Sequence, residues 1–532
     1  SLGIQKQLKQ TDELLPQVIV DEMGFGTLEE ALVKIHNPTP EEFYTADRFS
    51  PLKRLVAEEL IANQLALRRI KRTTQSNPAH AMTRGVLIKE LVERLPFTLT
   101  DSQERVVNEI KEDLRKPVPM MRLLQGDVGS GKTVVAALAM SMAADNKTQS
   151  VLMAPTELLA EQHLENLKGW FGPLGVKTVL LKSKLTQKER GLILNEIKHG
   201  EVSIIVGTHA LFQNKVEYKN LGLVVVDEQH RFGVDQRLSL VKKTGDNNAV
   251  PHQLIMTATP IPRTLAMSVY GDLDMSIIDE LPPGRKYIET FHQTDRDRLK
   301  LIRFIKNQIH KGKQAYIVYP LIKESEKLDF KDLLDGYESF SRDFPMPEYH
   351  ISIVHGKMKN DEKENELKRF IENKTQILVS TTVIEVGVDV PNATVMVIES
   401  AERFGLSQLH QLRGRVGRGS DKSFCFLLTG HKKTKESIMR METMVSTNDG
   451  FIIAEKDLEI RGPGNLMGTQ QSGEIPFKIT NLIKDNELII KVRLLVSNIL
   501  KKDPNLQNKE NYIISKNLKN IFDKKEIWEY IS

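Results

Sequence analysis

Residues 121–133 read MRLLQGDVGSGKT, and this segment gives the strongest indication of the fold. Met121–Gln125 is a short apolar run, as expected of a buried strand. The eight residues from Gly126 to Thr133 match the phosphate-loop pattern GxxxxGK[ST], and a helix is predicted to begin near Lys132. A Gly-rich turn without a ligand is the alternative. The order of strand, loop and helix favours the phosphate loop, because the motif requires that context.

The loop predicts a nucleotide site, with ATP and Mg²⁺ as cofactors. Its glycines let backbone N–H groups approach phosphate oxygens, and the helix N-terminus adds a favourable dipole. Lys132 is expected to reach the β- and γ-phosphates, and Thr133 to ligate Mg²⁺. The residues expected to bind the nucleotide are Gly126, Asp127, Val128, Gly129, Ser130, Gly131, Lys132 and Thr133.

Two carboxylates follow another apolar run, Leu223–Val226. Asp227 is expected to hold Mg²⁺, and Glu228 to accept a proton from the attacking water. A run of this kind followed by acids is, by itself, typical of an ordinary strand end. Its pairing with a phosphate loop favours the catalytic interpretation.

Short apolar runs alternate with helical stretches in two series. The first series lies at 121–125, 150–154, 178–181, 203–206, 223–226 and 253–256, and the second at 314–318, 351–354, 376–380, 394–398 and 423–428. Continuous apolar runs are typical of parallel strands covered on both faces. The pattern predicts an α/β fold with two doubly wound parallel sheets in tandem and helical segments at both ends of the chain.

The composition limits the class of protein. With 40% apolar and 27% charged residues over 532 positions, the chain is globular and long enough for several domains. A single cysteine, Cys425, excludes an intrachain disulfide and a cysteine-rich zinc site. This cysteine content fits a reducing cytoplasm, and Cys425 is expected to lie in the core. No run reaches the roughly 18 apolar residues of a membrane span. The net charge of +5 permits a polyanionic partner without demanding one.

Further motifs carry a family resemblance. The two carboxylates extend to DEQH at 227–230, TAT follows at 257–259, and QLRGRVGR at 411–418. This order resembles a superfamily 2 helicase or translocase. The chain from roughly residue 28 to 480 resembles the bacterial RecG helicases more closely. The matching stretches are 96–103 (PFTLTDSQ), 227–234 (DEQHRFGV), 256–266 (MTATPIPRTLA), 319–326 (YPLIKESE), 385–390 (EVGVDV), 401–409 (AERFGLSQL) and 449–473 (DGFIIAEKDLEIRGPGNLMGTQQSG).

The resemblance implies two RecA-like domains and an arrangement of parts around them. The implied parts are a helical connector (1–95), ATP-binding lobe 1 (96–282), lobe 2 (283–430), a translocation hairpin and loop shared with the transcription-repair coupling factor Mfd (431–475), and a helical C-terminal region (476–532). Gln103 is then expected to read the adenine edge. Arg415 and Arg418 would act as arginine fingers across the cleft between lobes. The alternative for each arginine is an ordinary surface or salt-bridge residue.

The resemblance also implies a DNA-binding face. Thr156, Thr208 and Thr381 each follow a strand and would contact phosphates without reading bases, with helix capping as the alternative. Thr257 and Thr259 would link this face to the nucleotide site. In the loop Gly462–Gly473, Arg461 and Gln471 are the candidate DNA contacts, and the alternative is a passive surface loop. No aromatic ladder is evident, so tracking along duplex is favoured.

The implied function is ATP-dependent translocation on double-stranded DNA, with remodelling of stalled forks and branch migration of Holliday junctions. The implied partners are forks, Holliday junctions, duplex DNA and single-strand-binding protein, without membrane or zinc. Three departures bear on this. The chain begins at Ser1 and is expected to be a processed protein or a fragment that lacks the N-terminal wedge domain. Lys357 and Gln470 each stand where the family usually has Arg.

Two rival functions stay open. One is an Mfd-like translocase acting on stalled RNA polymerase, although the chain supplies no polymerase-binding module. The other is a nucleotide-gated DNA-binding protein that clamps without cycling, against which Glu228, Arg415 and Arg418 argue. A PriA-like helicase would need several zinc-binding cysteines, and the single cysteine of this chain excludes that class.

Overall fold

The computed structural model describes residues 12–37, 50–182, 185–213, 215–228, 249–258, 260, 262, 266, 273–320, 336–381, 390–419, 421–430, 434–461, 477–482 and 484–514. The chain divides into two compact units. The sheet unit is Asn77–Ile261 with Met275–Ile460, and the helical unit is Ser1–Ser76 with Pro262–Asp274 and Arg461–Ser532. None of the helices in these described stretches is long and apolar enough to cross a membrane.

The described elements follow in chain order. They are α1 (Gln17–Met23), α2 (Leu28–His36), α3 (Ser50–Gln75), α4 (Val86–Arg94), α5 (Asp101–Leu114), β1 (Met121–Gly126), α6 (Lys132–Asp145), β2 (Gln149–Met153), α7 (Glu157–Phe171), β3 (Thr178–Leu181), α8 (Gln187–His199), β4 (Ile204–Gly207), β5 (Leu221–Val226), β6 (His252–Thr257) and β7 (Asp274–Ile278). They continue as β8 (Glu289–Thr294), α9 (Arg298–His310), β9 (Gln314–Val318), β10 (Ile351–Val354), α10 (Asn360–Ile371), β11 (Ile377–Ser380), β12 (Ala393–Ile398), α11 (Leu406–Arg413), β13 (Phe424–Thr429), α12 (Lys435–Ser446), α13 (Gly450–Arg461) and α14 (Asn486–Lys502).

The sheet unit contains two sheets. The first sheet has seven strands in the order β3-β4-β2-β5-β6-β1-β7, and the second has six in the order β10-β11-β9-β12-β13-β8. From β3 to β1, and throughout the second sheet, neighbouring strands run parallel. The predicted tandem of parallel α/β sheets is confirmed.

Both faces of each sheet are covered, which explains the continuous apolar runs. In β2, Leu152 packs into one hydrophobic cluster while Val151 and Met153 pack into another. In the second sheet, Cys425 and Phe426 divide in the same way between two clusters. Cys425 is buried, as predicted for a core residue. Alternate side chains point to opposite faces, so a strand covered twice needs apolar residues throughout.

The sequence did not predict β7 and β8. Each lies at the end of its sheet, and both are half-buried or exposed over most of their length. An edge strand has only one neighbour and tolerates polar side chains, so β8, with the sequence ETFHQT, carries no continuous apolar run.

The helical unit has its own core, built from α1, α3 and α14. Val56, Leu60 and Ile61 of α3 and Val492 of α14 are almost fully buried in it. On α3, Glu59 also accepts backbone hydrogen bonds from residues 478–480. Helices at both ends of the chain were predicted and are confirmed.

Candidate active site

The phosphate loop joins β1 to α6, as predicted. Gly129 and Gly131 take φ values of +76° and +88°, a region that favours glycine, so the backbone path requires glycine at these two positions of the motif. Lys132 Nζ donates to the carbonyl oxygens of Gly126 and Asp127, both at 2.8 Å. Burial lowers the pKa of Lys132. The ammonium group is therefore held inside the curve of the loop where phosphates are expected.

Two carboxylates with opposite pKa shifts stand at the end of β5. Burial would raise the pKa of Asp227, but the hydrogen bond with His163 Nε2 at 2.9 Å and the nearby charge of Lys132 hold it below its ordinary value. Burial and the Asp227 charge raise the pKa of Glu228. Asp227 thus stays ionised, as a cation ligand must. Glu228 binds a proton more tightly than an ordinary glutamate does, because its pKa is raised.

Glu228 is also held in a strained conformation. Its φ is +55°, in the left-handed region that non-glycine residues rarely adopt. Its Oε2 accepts the backbone N–H of Ala258 at 3.4 Å. Backbone strain of this kind concentrates at functional sites. Through its hydrogen bond Glu228 contacts Ala258, which stands in the sequence between Thr257 and Thr259, the two residues predicted to link the DNA-binding face to the nucleotide site.

A cleft of about 800 Å³ brings residues of both sheets together. From the first-sheet side it is lined by α7, the phosphate loop and the carboxylates after β5. From the second-sheet side it is lined by α10 and the residues around the end of α11. The predicted residues that line it are Val128, Gly129, Gly131, Lys132, Thr133, Asp227, Glu228, Arg415 and Arg418.

The remaining residues that were predicted to bind the nucleotide lie outside the cleft lining. Gly126, Asp127 and Ser130 do not line the cleft. The Gln103 amide accepts the Thr100 N–H at 3.0 Å and donates to the Ser130 carbonyl oxygen at 2.8 Å. Gln103 is 2% exposed and ties the start of α5 to the phosphate loop.

Sequence reasoning missed three residues around the loop. His163 holds Asp227, Arg285 donates to the Val128 carbonyl oxygen, and His410 Nε2 lies 2.5 Å from Asp127 Oδ1. His410 directly precedes the QLRGRVGR motif, but its partner Asp127, like the partners of His163 and Arg285, lies far away along the chain.

The predicted DNA-contacting threonines stand at strand ends, but most are buried. The Thr156 hydroxyl accepts the N–H of Leu159 at 3.3 Å and so caps α7. Thr208, Thr257 and Thr381 are each at most 3% exposed. Thr259, Gln471 and the loop Gly462–Gly473 lie outside the described residues, and of Arg461 the structure gives only its place at the end of α13.

Comparison with known proteins identifies the family. Residues 100–268 match the DEAD/DEAH box helicase family, 298–420 the helicase conserved C-terminal domain, and 447–532 the C-terminal part of domain 3 of the ATP-dependent DNA helicase RecG. The RecG of Haemophilus influenzae is 48% identical over 502 residues, which cover 91% of this chain and 72% of that protein. This chain belongs to the RecG family of ATP-dependent DNA helicases.

Other RecG proteins are similar to this chain to a comparable degree. The RecG of Bacillus subtilis is 44% identical, and the match covers 94% of this chain and 73% of that protein. The RecG of Synechocystis is 47% identical, and the match covers 95% of this chain and 60% of that protein. A solved structure of RecG bound to a three-way DNA junction has a TM-score of 0.73 and 39% identity, and covers 91% of this chain and 62% of that one. The chain thus spans between three-fifths and three-quarters of these RecG relatives.

Proposed function

We propose that this chain is an ATP-dependent translocase on double-stranded DNA that remodels stalled replication forks and branch-migrates Holliday junctions. One observation carries the proposal: a single cleft is lined by Lys132 and Glu228 after strands of the first sheet and by Arg415 and Arg418 after α11 of the second. Hydrolysis then depends on how the two sheets approach each other, so a nucleotide cycle becomes a mechanical cycle. RecG-family membership supports DNA as the track.

The side chains divide the chemistry between them. Lys132 contacts the β- and γ-phosphates, and Glu228 takes the proton of the attacking water, which its raised pKa favours. Arg415 and Arg418 stabilise the charge on the transferred phosphoryl group. Gln103 reads the adenine edge while it supports the loop through Ser130.

The residues present fit a magnesium ion. Thr133 and Asp227 line the same cleft, and Asp227 is kept ionised by His163. These two residues would hold the ion with its nucleotide. When bound, Mg²⁺ would neutralise negative charge on the phosphates.

The contact between Glu228 and Ala258 supports a link from hydrolysis to DNA. Thr257 and Thr259 flank Ala258 and would pass the state of the nucleotide site to the strand ends that carry Thr156, Thr208 and Thr381. Lobe 1 would span 96–282, lobe 2 283–430, and the hairpin with its loop 431–475. Single-strand-binding protein as a partner and a cytoplasmic location belong to the same proposal.

The deciding experiment compares phosphate release without DNA and with single strand, duplex and a model fork. We expect the greatest stimulation by the fork and duplex, and displacement of a triplex-forming strand from duplex. ATP binding and DNA clamping without stimulated phosphate release would favour the nucleotide-gated clamp instead. Stimulation by single strand alone would contradict a duplex translocase.

A further inference from the structure

Asp127 of the phosphate loop does not line the cleft. Asp127 accepts the N–H of Val128 at 2.6 Å and lies 2.5 Å from His410 Nε2 on α11. Burial would raise the pKa of Asp127, but the His410 contact helps hold it below its ordinary value. His410 is 5% exposed and does not line the cleft either. The phosphate loop is therefore joined directly to the second-sheet side of the molecule.

The other ring nitrogen of His410 fixes its tautomer. Nδ1 lies 3.0 Å from Arg413 Nη2, and a guanidinium can only donate. Nδ1 is therefore the acceptor, and Nε2 carries the hydrogen that it donates to Asp127. A neutral imidazole satisfies both contacts in one orientation.

The same group of side chains holds the turn between α12 and α13. Arg413 donates from Nη1 to the carbonyl oxygens of Met444 and Thr447, at 2.8 and 2.9 Å. Gly450, the first residue of α13, packs so closely that a Cβ there would lie 2.6 Å from His410 Nε2 and 3.2 Å from Asp127 Cγ. The turn therefore rests on the Asp127–His410 pair.

We propose that His410 is a positioning residue, through which Asp127 passes the conformation of the phosphate loop to the α12–α13 hairpin. A triphosphate that reshapes the loop moves the Asp127 carboxylate, and with it His410 and the turn before Gly450. This inference rests on the proposed function, because the movement matters only if the hairpin drives the DNA-engaging loop after it.

The test uses a fluorophore on α12 and needs no DNA. Glu442 is exposed, and Glu442→Cys can be labelled selectively because burial raises the pKa of Cys425 to about 12. We expect a fluorescence shift when the labelled parent is saturated with a non-hydrolysable ATP analogue. His410→Asn, which keeps an acceptor for Arg413 but withdraws from Asp127, should lose the shift at saturation.

Matched variants separate positioning from folding. His310→Asn changes an exposed histidine at the end of α9 and should keep the shift. Asp127→Ala should lose it, whereas Asp127→Asn, which retains an oxygen acceptor for His410, should keep it. A full shift in His410→Asn or Asp127→Ala would overturn the inference, as would equal loss in Asp127→Asn and Asp127→Ala. Absence of DNA-stimulated hydrolysis would contradict the proposed function separately.

Discussion

At the scale of single residues, substitutions of Glu228 and Lys132 should separate ATP binding from ATP hydrolysis. Glu228→Gln removes the proton acceptor and should abolish phosphate release while ATP still binds. Lys132→Ala removes a phosphate contact and should weaken ATP binding as well. A fluorescent-nucleotide titration beside a phosphate-release assay distinguishes the two. Hydrolysis by Glu228→Gln near the parent rate would show that another group is the base.

The raised pKa of Glu228 also predicts a pH dependence. A group with a raised pKa takes up its proton at a higher pH, and only the ionised carboxylate can accept the proton of water. Turnover at saturating ATP should therefore fall on acidification while the pH is still above 4.5, the ordinary pKa of a glutamate. Thermal melts over the same range separate this effect from unfolding. An acid limb at or below the ordinary value would contradict the assignment.

Arg418 tests the arginine finger. Arg418→Ala should change ATP affinity only modestly but cost about 10³-fold or more in hydrolysis, the scale of finger loss. Arg303→Ala, an exposed arginine on α9 that does not line the cleft, is the control and should hydrolyse at the parent rate. Equal rates in the two variants would exclude Arg418 from the chemistry.

At the scale of elements, capping of α7 by Thr156 can be separated from its proposed contact with DNA phosphates. Its hydroxyl caps α7, so Thr156→Ala should cost about 1 kcal/mol in the free energy of unfolding. Thr156→Asp keeps a capping oxygen but adds a negative charge. If Thr156 also faces DNA phosphates, the aspartate should keep the melting temperature and weaken duplex binding. Parent-like duplex affinity would leave capping as its role.

At the scale of the whole molecule, the loop Gly462–Gly473 is proposed to couple hydrolysis to movement along DNA. Arg461→Ala and Gln471→Ala should spare ATPase activity measured without DNA, but lower fork reversal or triplex displacement per ATP consumed. The two assays are run on the same preparations. Loss of both activities in the same proportion would indicate a folding role, and full displacement would indicate a passive surface loop.

Sequence patterns were enough to predict the phosphate loop, every described strand except β7 and β8, and the helical ends of the chain. These depend on local patterns: glycine spacing fixes the loop, and strands covered on both faces need unbroken apolar runs. The order of motifs was enough to name Lys132, Glu228, Arg415 and Arg418, which the structure brings to one cleft.

The tertiary structure was needed to find β7, β8 and the contacts that support the site. In β7 only two residues are buried and in β8 none is, so neither strand needs the continuous apolar run that predicted the others. Asp127 and His410 are 283 positions apart, and His163 and Asp227 are 64 apart. Such pairs leave no local pattern, because a hydrogen bond between distant segments depends on how parallel strands and their crossovers bring those segments together.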